Sequence, residues 1–229
     1  VTTEAMSCVL DLPFTGLWLV QNSPARRVPS HGTDRFGSRY AIDFVGVDDH
    51  RRTASVRDWR SALATEPPER FFAYGRPILA PCPGTVVVAH DGEADHEARR
   101  SQLALVPYAL GQASRARQGV AAIAGNHVTI AYGAAFVTLA HLRRGSLDVR
   151  PGDVVESGQQ VAECGNSGNS TQPHVHLQAT DSIDFAAARG VPVVFRDFRQ
   201  WPRGGADPAE LAEGIPAERS VVGPRHDRP

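Results

Sequence analysis

The stretch GNSGNSTQPHVHLQ, residues 165–178, ends in two histidines separated by a single valine. After its run of turn-forming Gly, Asn, Ser and Pro, the side chains of His174, Val175, His176, Leu177 and Gln178 alternate polar and apolar, the two-residue period of a β-strand. That period sets His174, His176 and Gln178 on one face and Val175 and Leu177 on the other, where they can enter a core. Two imidazoles roughly 6.5–7 Å apart along one strand face suit a borderline-soft divalent cation such as zinc. A chance pair of histidines on a solvated face is the competing reading.

A carboxylate with a matching demand lies upstream. In YAIDFV, residues 40–45, β-formers surround Asp43, and a carboxylate inside such a strand is costly to bury unless a cation or several donors face it. Pairing with Arg39 or bonds to backbone amides would also satisfy it. Asp34 is nearer His31 in sequence but sits in the turn-like HGTD run and is the second candidate. His141 ends the strand-like FVTLAHL, residues 136–142, where the two-residue period groups it with Val137 and Leu139. The chain has no HExxH, so the glutamate base of the helical zinc proteases is missing. GNSGN at 165–169 resembles a serine elbow, but Asn169 stands where GxSxG requires glycine, and a tight turn is the better reading. His127 could rim a cleft, with a structural role favoured. His50, His90, His96 and His226 fall in loops or the tail and read as solvated. Tyr74 and Tyr108 lie in or beside polar excursions and could contact a substrate.

The elements that must position these groups are mostly short strands: 16–20, 40–45, 85–89, a hairpin of 127–132 and 136–142 joined by Gly-Ala-Ala, short strands between Gly turns over 149–170, HVHLQ, and 191–195. Helices are predicted around 57–64 and 184–189. Two insertions, 47–76 and the helix-prone 93–119, leave the core and could wall a cleft. The expected fold is all-β, a mainly antiparallel sandwich or barrel-like core with short helical insertions. One domain is expected over 1–200, its core about 16–195. Residues 201–229, rich in Pro, Gly and charge, are expected to be a poorly ordered tail with at most a brief helix at 208–213.

Composition narrows the function classes. The 229 residues carry a net charge of −1 with no basic stripe, so neither nucleic acid nor an anionic membrane is indicated as partner, and a monomer is expected. All basic side chains are arginine, consistent with the coding bias of a GC-rich bacterial genome. Cys8, Cys82 and Cys164 are far apart and form no CxxC, so buried thiols are expected rather than disulfides or a cysteine zinc site. No apolar run is long enough to span a bilayer. No signal-peptide pattern opens the chain, which leaves a cytoplasmic protein and one whose export signal has been removed both open.

Taken in order, His31, YAIDF, GTVVVA, GNHVTI, LAHL, VRPGDVVESGQQVA and GNSGNSTQPHVHLQ resemble the lysostaphin-type, LytM-like zinc metallopeptidases over about 16–195. The resemblance implies a duplicated-hybrid-motif β core. It implies one Zn2+ held by His31, Asp43 and His176, with His141 and His174 as unliganded catalytic groups beside it. It also implies an endopeptidase whose substrate is a peptide, in the cross-links or stem peptides of bacterial peptidoglycan. Three ligands would leave a fourth position for water, and imidazoles with a pKa near 6.5 can carry its proton. The chain departs from the common pattern in placing eleven residues between His31 and Asp43, where many members have three. It also has Gln172 where many have glycine, and larger insertions. Two rival readings are a catalytically silent relative that activates another wall hydrolase and a histidine phosphocarrier of related fold.

Overall fold

The structure, a computed structural model, describes residues 7–56, 58, 64–99, 120–205 and 207–225. Its strands in chain order are β1 (Cys8–Leu10), β2 (Trp18–Gln21), β3 (Ile42–Gly46), β4 (Pro77–Leu79), β5 (Gly84–His90), β6 (Asn126–Tyr132), β7 (Ala135–Leu142), β8 (Val154–Val155), β9 (Gln160–Glu163), β10 (Val175–Thr180), β11 (Gly190–Val191), β12 (Val193–Trp201), β13 (Ala209–Gly214) and β14 (Val221–Pro224). Among the described residues the helical structure is limited to α1 (Val120–Ala124) and 3₁₀ turns at Arg35–Tyr40 and Pro68–Arg70. The fold is all-β, as the strand-period patterning predicts.

Among the described residues twelve strands form one sheet, with the path β1-β12-β14-β2-β3-β10-β7-β6-β5-β8, while β11 pairs with β10, β13 with β12, and β4 and β9 form a separate pair. β1 lies parallel to β12; β2, β3, β10 and β7, which carry the site, are mutually antiparallel neighbours. Alternation along β3 sends Ile42 and Phe44 into the core, both fully buried. Phe44 packs edge-on to Phe14 (5.0 Å) and Phe195 (5.5 Å), and Phe14 stacks on Trp18 at 4.5 Å. Removing such a ring from a core costs about 3–5 kcal/mol, so this aromatic group anchors β3 in its register. Asp43, between the two core residues, is thereby directed to the opposite face. The three cysteines are buried free thiols, and burial pushes Cys82 up to about 12.

The C-terminal part of the chain corrects the expected tail. β13 and β14 occupy that segment, and β14 is inserted between β12 and β2, where Val222 is fully buried. The AELAEG sequence of β13 has helix-favouring composition and a mostly exposed surface, so nothing local marks it as a strand. Five backbone positions paired with β12 decide its conformation instead. At 184–189 the expected helix is a single turn: the amides of Ala187 and Ala188 both donate to the Asp184 carbonyl, and Gly190 then enters β11. Most of the helix expected at 57–64, residues 100–119 of the second insertion with Tyr108, and His226 lie outside the described residues. The described parts of the two insertions meet, with Glu66 and Ala98 exchanging backbone hydrogen bonds and Ala54, Phe71 and Ala98 forming a small buried cluster.

Candidate metal centre

Strand register builds most of the centre. His176 on β10 lies directly opposite Asp43 on β3 and, on its other side, opposite Ala140 on β7. Asp43 is nearly fully buried. Its Oδ1 is 2.8 Å from His176 Nδ1, and its Oδ2 is 3.1 Å from His31 Nε2, delivered by the loop after β2. One ligand atom from each of His31, Asp43 and His176 lies within 4.8 Å of the others, a group able to hold a metal ion. Asn22, at the end of β2 in a left-handed conformation (φ 52°), donates to Asp43 Oδ2 at 2.7 Å.

The outward-facing nitrogens of both imidazoles are committed. Gln178 Nε2 donates to the Phe36 carbonyl at 2.8 Å, which turns Gln178 Oε1 toward His176 Nε2 at 3.0 Å as its acceptor. Ser30 Oγ donates to the Ser38 carbonyl (3.3 Å), so it receives the proton of His31 Nδ1 at 3.0 Å. In these tautomers, assigned from the network, the inner nitrogens of His31 and His176 present lone pairs to the carboxylate. Three acceptors that converge in this way repel one another unless protons or a cation lie between them. Two imidazole nitrogens and one carboxylate oxygen are a donor set that zinc accepts.

His141 and His174 stand beside this group, their rings 4.7 Å apart at the centroids, with His141 5.9 Å from His176. His174 Nε2 is 3.7 Å from Asp43 Oδ1. The sequence period grouped His141 with Val137 and Leu139, and here the structure differs. Val137 and Leu139 are in the core, whereas His141 lines the cleft with Thr138 and Ala140. The reason is a backbone φ of 63° at His141, a left-handed conformation that breaks the alternation of β7 and turns the imidazole over. A non-glycine residue held this way costs about 1–3 kcal/mol, which the surrounding contacts must offset.

Residues 107–182 match the model of peptidase family M23. Over that segment, about a third of its length, the chain resembles the M23 peptidases. The matched span contains His141, His174 and His176, while His31 and Asp43 precede it and join them only through the fold. Solved structures similar to this chain include the catalytic domain of lysostaphin from Staphylococcus simulans, at 19% identity and a TM-score of 0.37 over 66% of this chain and 74% of that one. Another is a mutant catalytic domain of the prophage-encoded M23 protein EnpA from Enterococcus faecalis, at 20% identity and a TM-score of 0.38 over 66% and 73%. A zinc-containing peptidase from Vibrio cholerae is similar at 17% identity and a TM-score of 0.33 over 66% and 45%.

In this site the turn at 165–170 works as a scaffold. Ser167, fully buried, donates to the Leu142 carbonyl at 2.8 Å and accepts from the Asn126 amide at 3.0 Å, so its hydroxyl is structural, as the missing elbow glycine predicted. The carbonyl of Ser167 accepts from His141 Nδ1 at 2.9 Å and the carbonyl of Gln172 from His174 Nδ1 at 2.8 Å, with Ser170 Oγ 3.0 Å from the same His174 nitrogen. Both imidazoles therefore keep Nε2 as their acceptor. The second insertion buttresses the turn: Asp95 Oδ1 accepts from the Asn166 amide at 2.6 Å, and His96 Nε2 donates to the Gly168 carbonyl at 2.9 Å. His96 is thus not the solvated residue expected. His90 stacks on His127 at 5.3 Å, and buried His127 donates through Nδ1 to the Gly125 carbonyl at 2.8 Å, the structural role predicted for it. Asp34, the second-choice carboxylate, is taken by Arg39, with both oxygens at 2.9 Å. Tyr74 lies under the Arg143 guanidinium, away from the cleft.

Electrostatics separates the four imidazoles and their carboxylate. Burial alone would raise the Asp43 carboxyl, but the charges of His31 and His174 and hydrogen bonds from His176 and His31 hold it well below the usual carboxylate range. Burial would lower His176, yet its hydrogen bond to Asp43 and the carboxylate's charge raise it. Burial holds His141 well below the ordinary histidine range, helped by His174 and His176, and lowers His174 as well. These groups line a cleft of about 550 Å³. Asn22, Ser30, Ser170 and Gln178 acquire their site contacts only here. Of them Gln178 alone carried a sequence signal, its place on the HxH face.

Proposed function

We propose that the chain is a zinc-dependent endopeptidase acting on peptide bonds of bacterial peptidoglycan, in cross-links or stem peptides. One observation carries the reading: the convergence of three acceptor groups, His31 Nε2, the Asp43 carboxylate and His176 Nδ1, beside two imidazoles whose Nε2 atoms remain acceptors. In this reading His31, Asp43 and His176 hold the metal. Bound there, zinc would supply a water with a pKa near 7 and polarise the substrate carbonyl.

The chain's own residues do the rest. Asn22 orients Asp43 by donating to Oδ2, and Gln178 and Ser30 engage the outer nitrogens of His176 and His31, which turns the inner nitrogens toward the metal position. His141 and His174, lowered by burial, are neutral at pH 7. Each can accept a proton at Nε2 while its Nδ1–H stays on a carbonyl. One imidazole takes the proton of the attacking water as the new C–O bond forms, and the proton then passes to the amine as the C–N bond breaks. General acid–base help of this kind contributes about 10²–10⁴-fold.

The test is metal analysis of the purified protein together with digestion of purified peptidoglycan and mass spectrometry of the fragments. One zinc per chain and new amino termini at peptide bonds are expected. Zinc without turnover would replace this reading with that of a silent binding protein; phosphate transfer without tightly held zinc would replace it with a carrier.

A further inference from the structure

The eleven residues between His31 and Asp43 form one wall of the cleft. Among the described residues lining that cleft, Arg35 is the only arginine and Asp43 the only carboxylate. The acid next to Arg35 in sequence, Asp34, is occupied by Arg39. Arg35 itself is exposed, and its guanidinium has no hydrogen-bond or ion-pair partner among the described residues.

The wall is fastened to the groups that orient the candidate ligands. The Phe36 carbonyl accepts from Gln178, which also receives the His176 proton. At the other end the Ser30 amide donates to the Arg39 carbonyl at 3.0 Å and the Ser30 hydroxyl to the Ser38 carbonyl, next to His31. Between these ties Phe36 and Gly37 are both left-handed, with φ of 59° and 72°. A Cβ on Gly37 would run into the methyl of Thr180, so the glycine lets the wall sit directly on the end of β10. Arg35 therefore starts from a backbone held rigid relative to His31 and His176, the condition under which one side chain can select a ligand.

We propose that Arg35 receives a carboxylate of the substrate, so that the cleft takes an acidic peptide, with a free carboxylate near the scissile amide, in preference to an uncharged one. The inference rests on the peptidase reading above and names the substrate class of that site. A guanidinium pairs with a carboxylate through two parallel N–H donors, and its charge persists at any working pH.

The test compares a cross-linked peptide dimer purified from peptidoglycan with the same dimer after its free carboxylates are converted to carboxamides. Binding to the metal-free protein is read by calorimetry, and cleavage by the zinc-loaded protein as kcat/KM. The wild type is expected to favour the acidic form about tenfold in both, the size of one charge-assisted hydrogen bond. Arg35→Ala should make the two forms equal, Arg35→Lys should keep part of the preference, and Arg35→Glu should reverse it, all with wild-type zinc content. Equal binding of both forms by the wild type, or an undiminished preference in Arg35→Ala, would overturn the inference. Preferential binding lost in Arg35→Ala but with neither dimer cleaved would leave the carboxylate site standing and remove the peptidase reading.

Discussion

The two halves of the centre are made of the same side chain and treat it oppositely. On the β3–β10 side, His31 and His176 turn one nitrogen to Asp43 and give the other's proton to Ser30 and Gln178. On the β7 side, His141 and His174 give their Nδ1 protons to backbone carbonyls, and burial lowers both. A carboxylate within one hydrogen bond raises His176; its greater distance from His141 leaves desolvation in control. An imidazole's part in such a site is therefore set by where its spare proton goes and by which charge lies beside it.

The largest effect should come from exchanging the halves. His31→Ala, Asp43→Ala or His176→Ala is expected to abolish stoichiometric zinc and with it peptidoglycan cleavage. His141→Asn should keep zinc and lose about 10²–10⁴-fold in rate. Asparagine is the variant of choice because it tolerates the left-handed backbone at that position. Atomic spectroscopy and a digestion assay on the same preparations decide it; equal zinc loss in all four variants would erase the division between the halves.

A smaller effect is expected one shell out. Gln178→Leu removes the acceptor of the His176 proton and should weaken zinc affinity about 10–100-fold in a chelator competition, while Gln178→Glu, which keeps an acceptor, should stay near the wild type. Wild-type affinity in Gln178→Leu would mean that β10 orients His176 without help from its side-chain partner.

The smallest concerns a histidine outside both halves. Burial lowers His127, which lies against Phe185 and His90. Its unfolded pKa is about 6.5, so the unfolded chain binds the proton more readily than the folded one. The contribution of neutral His127 to stability is thus fully present above about pH 6.5 and declines as pH falls below it. Melting curves at pH 7.5 and 5.5 should show a smaller pH-dependent loss for His127→Asn than for the wild type; an identical loss would assign the acid sensitivity to other groups.

Local pattern made much of this legible. The two-residue period of HVHLQ and the carboxylate isolated among β-formers in YAIDF pointed to side chains that the fold brings within hydrogen-bond distance, because alternation on a half-buried strand is a local property. The same rule misplaced His141, since one residue with positive φ inverts the face of everything at that position, and no residue type there announces it. It missed β13 and β14 for a related reason: AELAEG becomes a strand through hydrogen bonds to β12, not through its own preference.

What the sequence determined on its own was the all-β class, the strand that presents two imidazoles on one face, and the need of Asp43 for a partner. Each follows from side-chain periodicity or from the cost of burying a charge. Only the tertiary structure decided that His31 reaches Asp43 across an eleven-residue loop, that Asn22, Ser30 and Gln178 hold the converging acceptors, and that Arg35 stands without an acid among the described residues of the cleft wall. Those contacts join residues distant in the chain, and their geometry comes from strand register and loop closure, which no single segment encodes.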